Sequence, residues 1–131
     1  MSLFSKLFRK KELKKVPLPS WEQTVEIMHN KNLSCIDAEE ILQVVYTKDK
    51  TKRAIILKDK KGLYGYLTEE LFPFDENEWQ FVSQDKNALP GMWIVAATGL
   101  DGSSFFATEE DAMKELMCNP WYKHYFLKED N

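Results

Sequence analysis

The chain has 131 residues with 44% hydrophobic and 30% charged side chains, a length and balance that suit one globular domain and exclude a chain too polar to offset its own ordering entropy. Its net charge of −3 is unevenly spread: residues 1–15 hold six basic groups (Lys6, Arg9, Lys10, Lys11, Lys14, Lys15) against Glu12, leaving the remainder at −8. No nucleic acid is expected as a partner of that acidic body, because phosphate binding needs a cationic footprint.

In the opening MSLFSKLFRKKELKK, Leu3, Phe4, Leu7 and Phe8 recur at helical spacing among cations. Phe4, Lys6, Leu7, Phe8, Arg9, Lys10 and Lys11 are therefore the candidates for weak contact with an anionic membrane surface, against the alternative of a tail packed on the domain. The segment lacks the apolar run of a signal peptide, and no stretch approaches the length of a membrane-spanning helix. A cytoplasmic protein is expected, with the inner face of the membrane as the alternative location. Val16-Pro17-Leu18-Pro19 forces extended backbone. Residues 1–19 thus read as a basic segment and linker, and 20–131 as a single domain.

Ser20 and Gln23 form a capping-box pair, and Trp21, Val25 and Met28 share a helical face, predicting a helix from Trp21 to His29. Asp37 and Glu40 suggest a short helical turn running into a strand at Ile41–Tyr46. Arg53–Lys58 and Leu63–Thr68 flank Asp59-Lys60-Lys61-Gly62, the clearest hairpin in the chain. Trp79–Ser83 and Met92–Thr98 are further strand candidates, the second so apolar that a central place in the sheet is expected. Gly99-Leu100-Asp101-Gly102 turns the chain into Ser103–Ala107. Thr108 then caps a helix with Glu109, Glu110 and Asp111 at its positive end and Ala112, Met113, Leu116 and Met117 on one face. Asn119-Pro120 starts another, Pro120–Leu127, with an aromatic stripe of Trp121, Tyr122, Tyr125 and Phe126.

Helix, strands, then helices argue for an α+β fold: a mainly antiparallel sheet of about five strands with an N-terminal helix and two C-terminal helices on one face. From Ile41 to Phe126, the strand run, the FPFDENEW stretch and the closing EEDAMKEL helix broadly resemble small α+β proteins of bacteria, a likeness that implies no activity.

Catalytic patterns are scarce. Phosphate-loop, dinucleotide and nucleophile-elbow motifs are absent. Cys35 and Cys118 read as buried small hydrophobes, and with His29 and His124 they show no ligand spacing, so neither a metal nor any other cofactor is expected. Cys118 with His124 makes a poor nucleophile pair, since Pro120 breaks the helix between them. The basic residues Lys48, Lys50, Lys52, Arg53, Lys58, Lys60 and Lys61 beside Tyr46, Tyr64 and Tyr66 read better as charges blunting sheet edges than as a single-strand binding face.

The remaining candidate is the acidic series Glu69, Glu70, Asp75, Glu76 and Glu78 ending at Trp79. Carboxylates around an aromatic anchor suit a protein partner with a basic face, the competing reading being a solvated loop. The expectation is a non-enzymatic protein-binding domain of the inhibitor or immunity kind. A peripheral membrane accessory protein and a small enzyme assembled only in three dimensions are the alternatives.

Overall fold

The structure is a computed structural model that describes residues 15–33, 40–96 and 106–127. The elements run α1 (Trp21–Met28), β1 (Glu40–Tyr46), β2 (Lys52–Lys58), β3 (Tyr64–Pro73), α2 (Glu76–Val82), β4 (Gly91–Val95), α3 (Glu109–Cys118), α4 (Pro120–Tyr122) and a π-helical turn, Lys123–Leu127. The class is α+β, with one antiparallel sheet of four strands in the order β1-β2-β3-β4. The chain divides into two compact units, one drawn from 1–29 and 72–92, the other from 30–71 and 93–131.

The second unit holds the hairpin that the sequence announces. β2 pairs antiparallel with β3 in an unbroken register from Lys52↔Glu70 to Lys58↔Tyr64, and Gly62 takes the left-handed position (φ 83°) of the connecting turn. The Asp59 carboxylate accepts the N–H groups of Lys61 and Leu63 at 2.9 Å each and fixes that turn. β1 pairs with β2 through an irregularity between Ile41 and Gln43.

β2 is buried from Arg53 to Leu57 because both faces of the strand are covered, so its apolar residues run continuously instead of alternating. On one face Ala54, Ile56 and Tyr66 pack with Leu116, Tyr122 and Phe126. The Tyr122 and Phe126 rings stack with centroids 4.5 Å apart. α3 begins as its sequence predicts, with the Thr108 hydroxyl accepting from Asp111 N–H at 3.1 Å. Asn119 caps the next turn by accepting from both Trp121 and Tyr122 N–H.

In the first unit, α1 carries the expected capping box: Ser20 Oγ accepts from Gln23 N–H at 3.1 Å, and Gln23 Oε1 accepts from Ser20 N–H at 2.8 Å.

Four expectations are corrected. The sheet has four strands, not about five, because Trp79–Val82 is the second half of a helix, α2, with Ser83 as its C-cap. The reason is local: Asp75 and Glu78 complete a capping box that outweighs the strand preference of Trp79, Phe81 and Val82. Second, the apolar Met92 segment is an end strand and not a central one, β4, with Ile94 and Val95 exposed. A run of apolar residues reports hydrophobicity, not how many neighbours the strand has. Third, Pro120–Leu127 is not one α-helix but a short α-turn that widens into π geometry. Fourth, Cys118 is exposed on the last turn of α3, on the side away from the buried Ala112 and Leu116. Cys35, the helical turn before β1 and most of Ser103–Ala107 lie outside the described residues; Phe106 bridges to Tyr64 through bonds of 2.7 and 2.8 Å.

Candidate functional site

The acidic series divides between the two units. Asp75, Glu76, Glu78 and Trp79 belong to the first, Glu69 and Glu70 to the second.

In the first unit the side chains are placed by α2. Asp75 Oδ1 accepts from Glu78 N–H at 2.8 Å and Glu78 Oε1 accepts from Asp75 N–H at 3.0 Å, so both carboxylates serve as cap while remaining exposed, and their charge suits the positive end of the helix. Trp79 turns inward and keeps 6% of its surface exposed. Its Nε1–H reaches the Val16 and Pro17 carbonyls at 3.1 and 3.0 Å. Gln80 donates to Val16 O at 2.8 Å and to Glu76 Oε1 at 2.8 Å, and Val16 N–H donates back to Gln80 Oε1 at 3.3 Å. The extended linker is thus pinned to α2.

Two residues beyond Trp79, helical geometry swings the next aromatic to the opposite side. Phe81 is 84% exposed, the most exposed large hydrophobic residue described. Glu78 lies three residues before it on the same helical surface, and Asp85 follows in the turn that closes the helix. The first unit also exposes Trp21 and Phe72. The acidic series points to Trp79 as the anchor, whereas the exposed aromatic of this helix is Phe81. The signal that separates them was present: once Asp75-x-x-Glu78 is read as a cap, the helical period turns the two aromatics to opposite sides.

In the second unit Glu69 is buried and paired with Arg53, which is itself fully buried. Arg53 Nε–H donates to Glu69 Oε1 at 2.7 Å; Nη2 lies 2.7 Å from the same oxygen as an ion-pair contact too bent to be a second hydrogen bond. Nη1 donates to Lys31 O at 2.8 Å and, at 3.4 Å, to Tyr46 Oη. The guanidinium lies 4.2 Å from the Trp93 ring centroid. The Tyr46 hydroxyl accepts from Asn30 N–H at 2.8 Å and donates to Asn30 Oδ1 at 2.9 Å, anchoring a left-handed residue (φ 61°). Glu70 is also engaged, accepting from Trp121 Nε1–H at 2.9 Å, while Lys52 sits 4.4 Å from the Tyr125 ring centroid. Arg53 and Glu69 are therefore withdrawn from solvent and serve the interior.

No family model, curated protein or solved structure matches this chain.

The membrane-surface candidates Phe4, Lys6, Leu7, Phe8, Arg9, Lys10 and Lys11 lie outside the described residues. Among the described residues, no helix is long and apolar enough to cross a membrane, and no group of three or more His, Cys, Asp or Glu side chains could hold a metal ion.

Proposed function

We propose that this protein is a non-enzymatic protein-binding domain whose docking face is the outer side of α2, with Phe81 as the buried centre of the complex, Glu78 and Asp85 as its acidic flanks, and Asp75 and Glu76 at the helix start adding to the local negative charge. The observation that carries this reading is the 84% exposure of Phe81 on a helix whose neighbouring aromatic, Trp79, is already spent on the interior. An aromatic side chain left in water gives up the burial of its apolar surface, roughly 25 cal/mol for each Å². Binding recovers that loss, which is why aromatics dominate the centres of interfaces. The carboxylates select a partner with a basic face and steer its approach. An inhibitor or immunity-type protein acting on a cationic target fits this arrangement.

The test is affinity capture from the native cell with the full-length chain and its Phe81→Ala and Glu78→Lys variants. The reading expects one protein retained in stoichiometric amount by the wild type and lost from both variants. Retention that is indifferent to both substitutions places the binding face elsewhere and defeats the proposal.

A further inference from the structure

Lys52 and Glu70 stand opposite each other on β2 and β3, a position at which unlike charges ordinarily meet. Among the described residues neither makes an ion pair. Each turns instead to an aromatic ring of the last helical segment: Glu70 Oε1 accepts from Trp121 Nε1–H at 2.9 Å, and Lys52 Nζ lies 4.4 Å from the centre of the Tyr125 ring. Tyr122 and Phe126 fill the core, while Trp121 and Tyr125 flank them half-buried, with centroids 5.5 Å apart and planes inclined at 60°. The two rings therefore make a corner, with the Glu70 carboxylate bonded to the indole edge, and an ammonium group already lies over one of them. Hydrogen bonds hold that ammonium poorly. Among the described residues its polar partner is the Thr51 hydroxyl at 3.4 Å, although a primary ammonium can donate three hydrogen bonds.

We propose that Trp121, Tyr125 and Glu70 form a binding site for a quaternary ammonium group, with Lys52 as an internal occupant that such a ligand displaces. The ring faces attract a cation through their quadrupoles, and Glu70 adds a full negative charge beside them. A quaternary ammonium suits this set better than a primary one, because it has no N–H groups to satisfy, whereas the lysine ammonium is a strongly hydrated point charge that gives up bonds to water when it lies on a ring. A choline headgroup and a trimethylated lysine side chain both present this cation. The site belongs to the second unit and does not depend on the reading of α2 as a docking face.

The test titrates tetramethylammonium chloride into the full-length chain and its Lys52→Ala variant, with sodium chloride at equal ionic strength as the control. The readout is the NMR signal of the Trp121 indole N–H, assigned by its loss in Trp121→Phe. A saturable shift is expected in Lys52→Ala, with half-saturation at a concentration at least about ten-fold lower than in the wild type, because the internal competitor is gone. Adding Tyr125→Leu to Lys52→Ala should abolish saturation. Adding Glu70→Gln instead, which keeps a carbonyl for the indole N–H but removes the charge, should weaken it several-fold. Choline and trimethyllysine titrated in the same way separate the two sources: saturation by either at a lower concentration than tetramethylammonium supports the site and names the origin of its ligand. A shift in Lys52→Ala no larger than that with sodium chloride overturns the proposal, as does a saturable shift that Tyr125→Leu and Glu70→Gln leave unchanged. Equal half-saturation in wild type and Lys52→Ala overturns the role of Lys52 as occupant. Equal half-saturation by methylammonium and tetramethylammonium shows a general cation patch, which overturns the assignment to quaternary ammonium.

Discussion

Arg53 and Glu69 stand opposite each other on β2 and β3, joined at 2.7 Å in a place where the arginine has no solvent exposure. A buried ion pair stabilises little in net terms, because desolvation offsets most of the attraction, yet removal of one partner strands the other charge. Glu69→Ala is therefore expected to destabilise the protein by about 3–5 kcal/mol. The double substitution Arg53→Met with Glu69→Leu should recover most of that loss. Urea denaturation of these two variants and the wild type decides the point; a Glu69→Ala midpoint equal to the wild type would show that the pair is not the element holding this face of the sheet.

Asp49 gives a second expectation, in the β1–β2 turn. Partial burial pushes its carboxyl upward, but the Thr47 and Thr51 hydroxyls, Thr51 N–H and the nearby Lys52 charge together outweigh that and leave it below the ordinary value. Both hydroxyls donate to Oδ1 at 2.7 Å. A carboxyl lowered in the folded state favours folding above its unfolded value of about 3.9, and the benefit disappears as pH falls through the folded value. The stability difference between wild type and Asp49→Asn should thus be constant from pH 7 to pH 5 and shrink towards pH 2. A difference that stays the same across that range would contradict the assignment.

The hairpin, α1 and α3 were legible in the sequence because each carries local chemistry at fixed spacing: Gly62 at a positive φ, Ser20 with Gln23, and Thr108 before three acids. The helix α2 was not read, although Asp75 and Glu78 display the same signal as Ser20 and Gln23, because its aromatics favoured a strand. The acidic residues near the site were legible as a set but not in their separate roles. Whether a Glu meets water or an arginine depends on strand register, and Glu69 meets Arg53 only through a pairing sixteen residues away. The exposure of Phe81 was hidden for the same reason as α2 itself.

Gly91 makes a third expectation, which rests on close approach and not on a left-handed backbone. A Cβ at this position would lie 2.6 Å from the Phe72 carbonyl oxygen and 3.2 Å from Pro73 Cα, both backbone atoms that cannot swing aside. Gly91→Ala should cost on the order of 1–3 kcal/mol, the usual range for overpacking. At Gly62 nothing lies within 4 Å of the added carbon, so the cost of Ala there is the left-handed backbone alone, roughly 1 kcal/mol. Thermal melts of the two variants should therefore rank Gly91→Ala below Gly62→Ala, and the reverse order would show that β3 yields at Phe72.

Trp79 and Phe81 separate stability from binding on a single helix. Trp79 is buried and its indole N–H satisfies two linker carbonyls, so Trp79→Ala removes packing and leaves the Val16 and Pro17 oxygens without that donor. The expected loss is about 3–5 kcal/mol, with Pro17 released from α2 while Gln80 still holds Val16. Phe81 contributes almost nothing to the folded chain, and Phe81→Ala should move stability by less than about 0.5 kcal/mol. Its consequence falls on association instead, where truncation of a central aromatic costs about 2 kcal/mol or more, a weakening of roughly thirty-fold. Urea midpoints and partner affinities measured on both variants distinguish the roles. A Phe81→Ala protein that melts early would mean that the ring is covered within the chain, and an equally stable one that binds its partner undiminished would remove α2 from the interface.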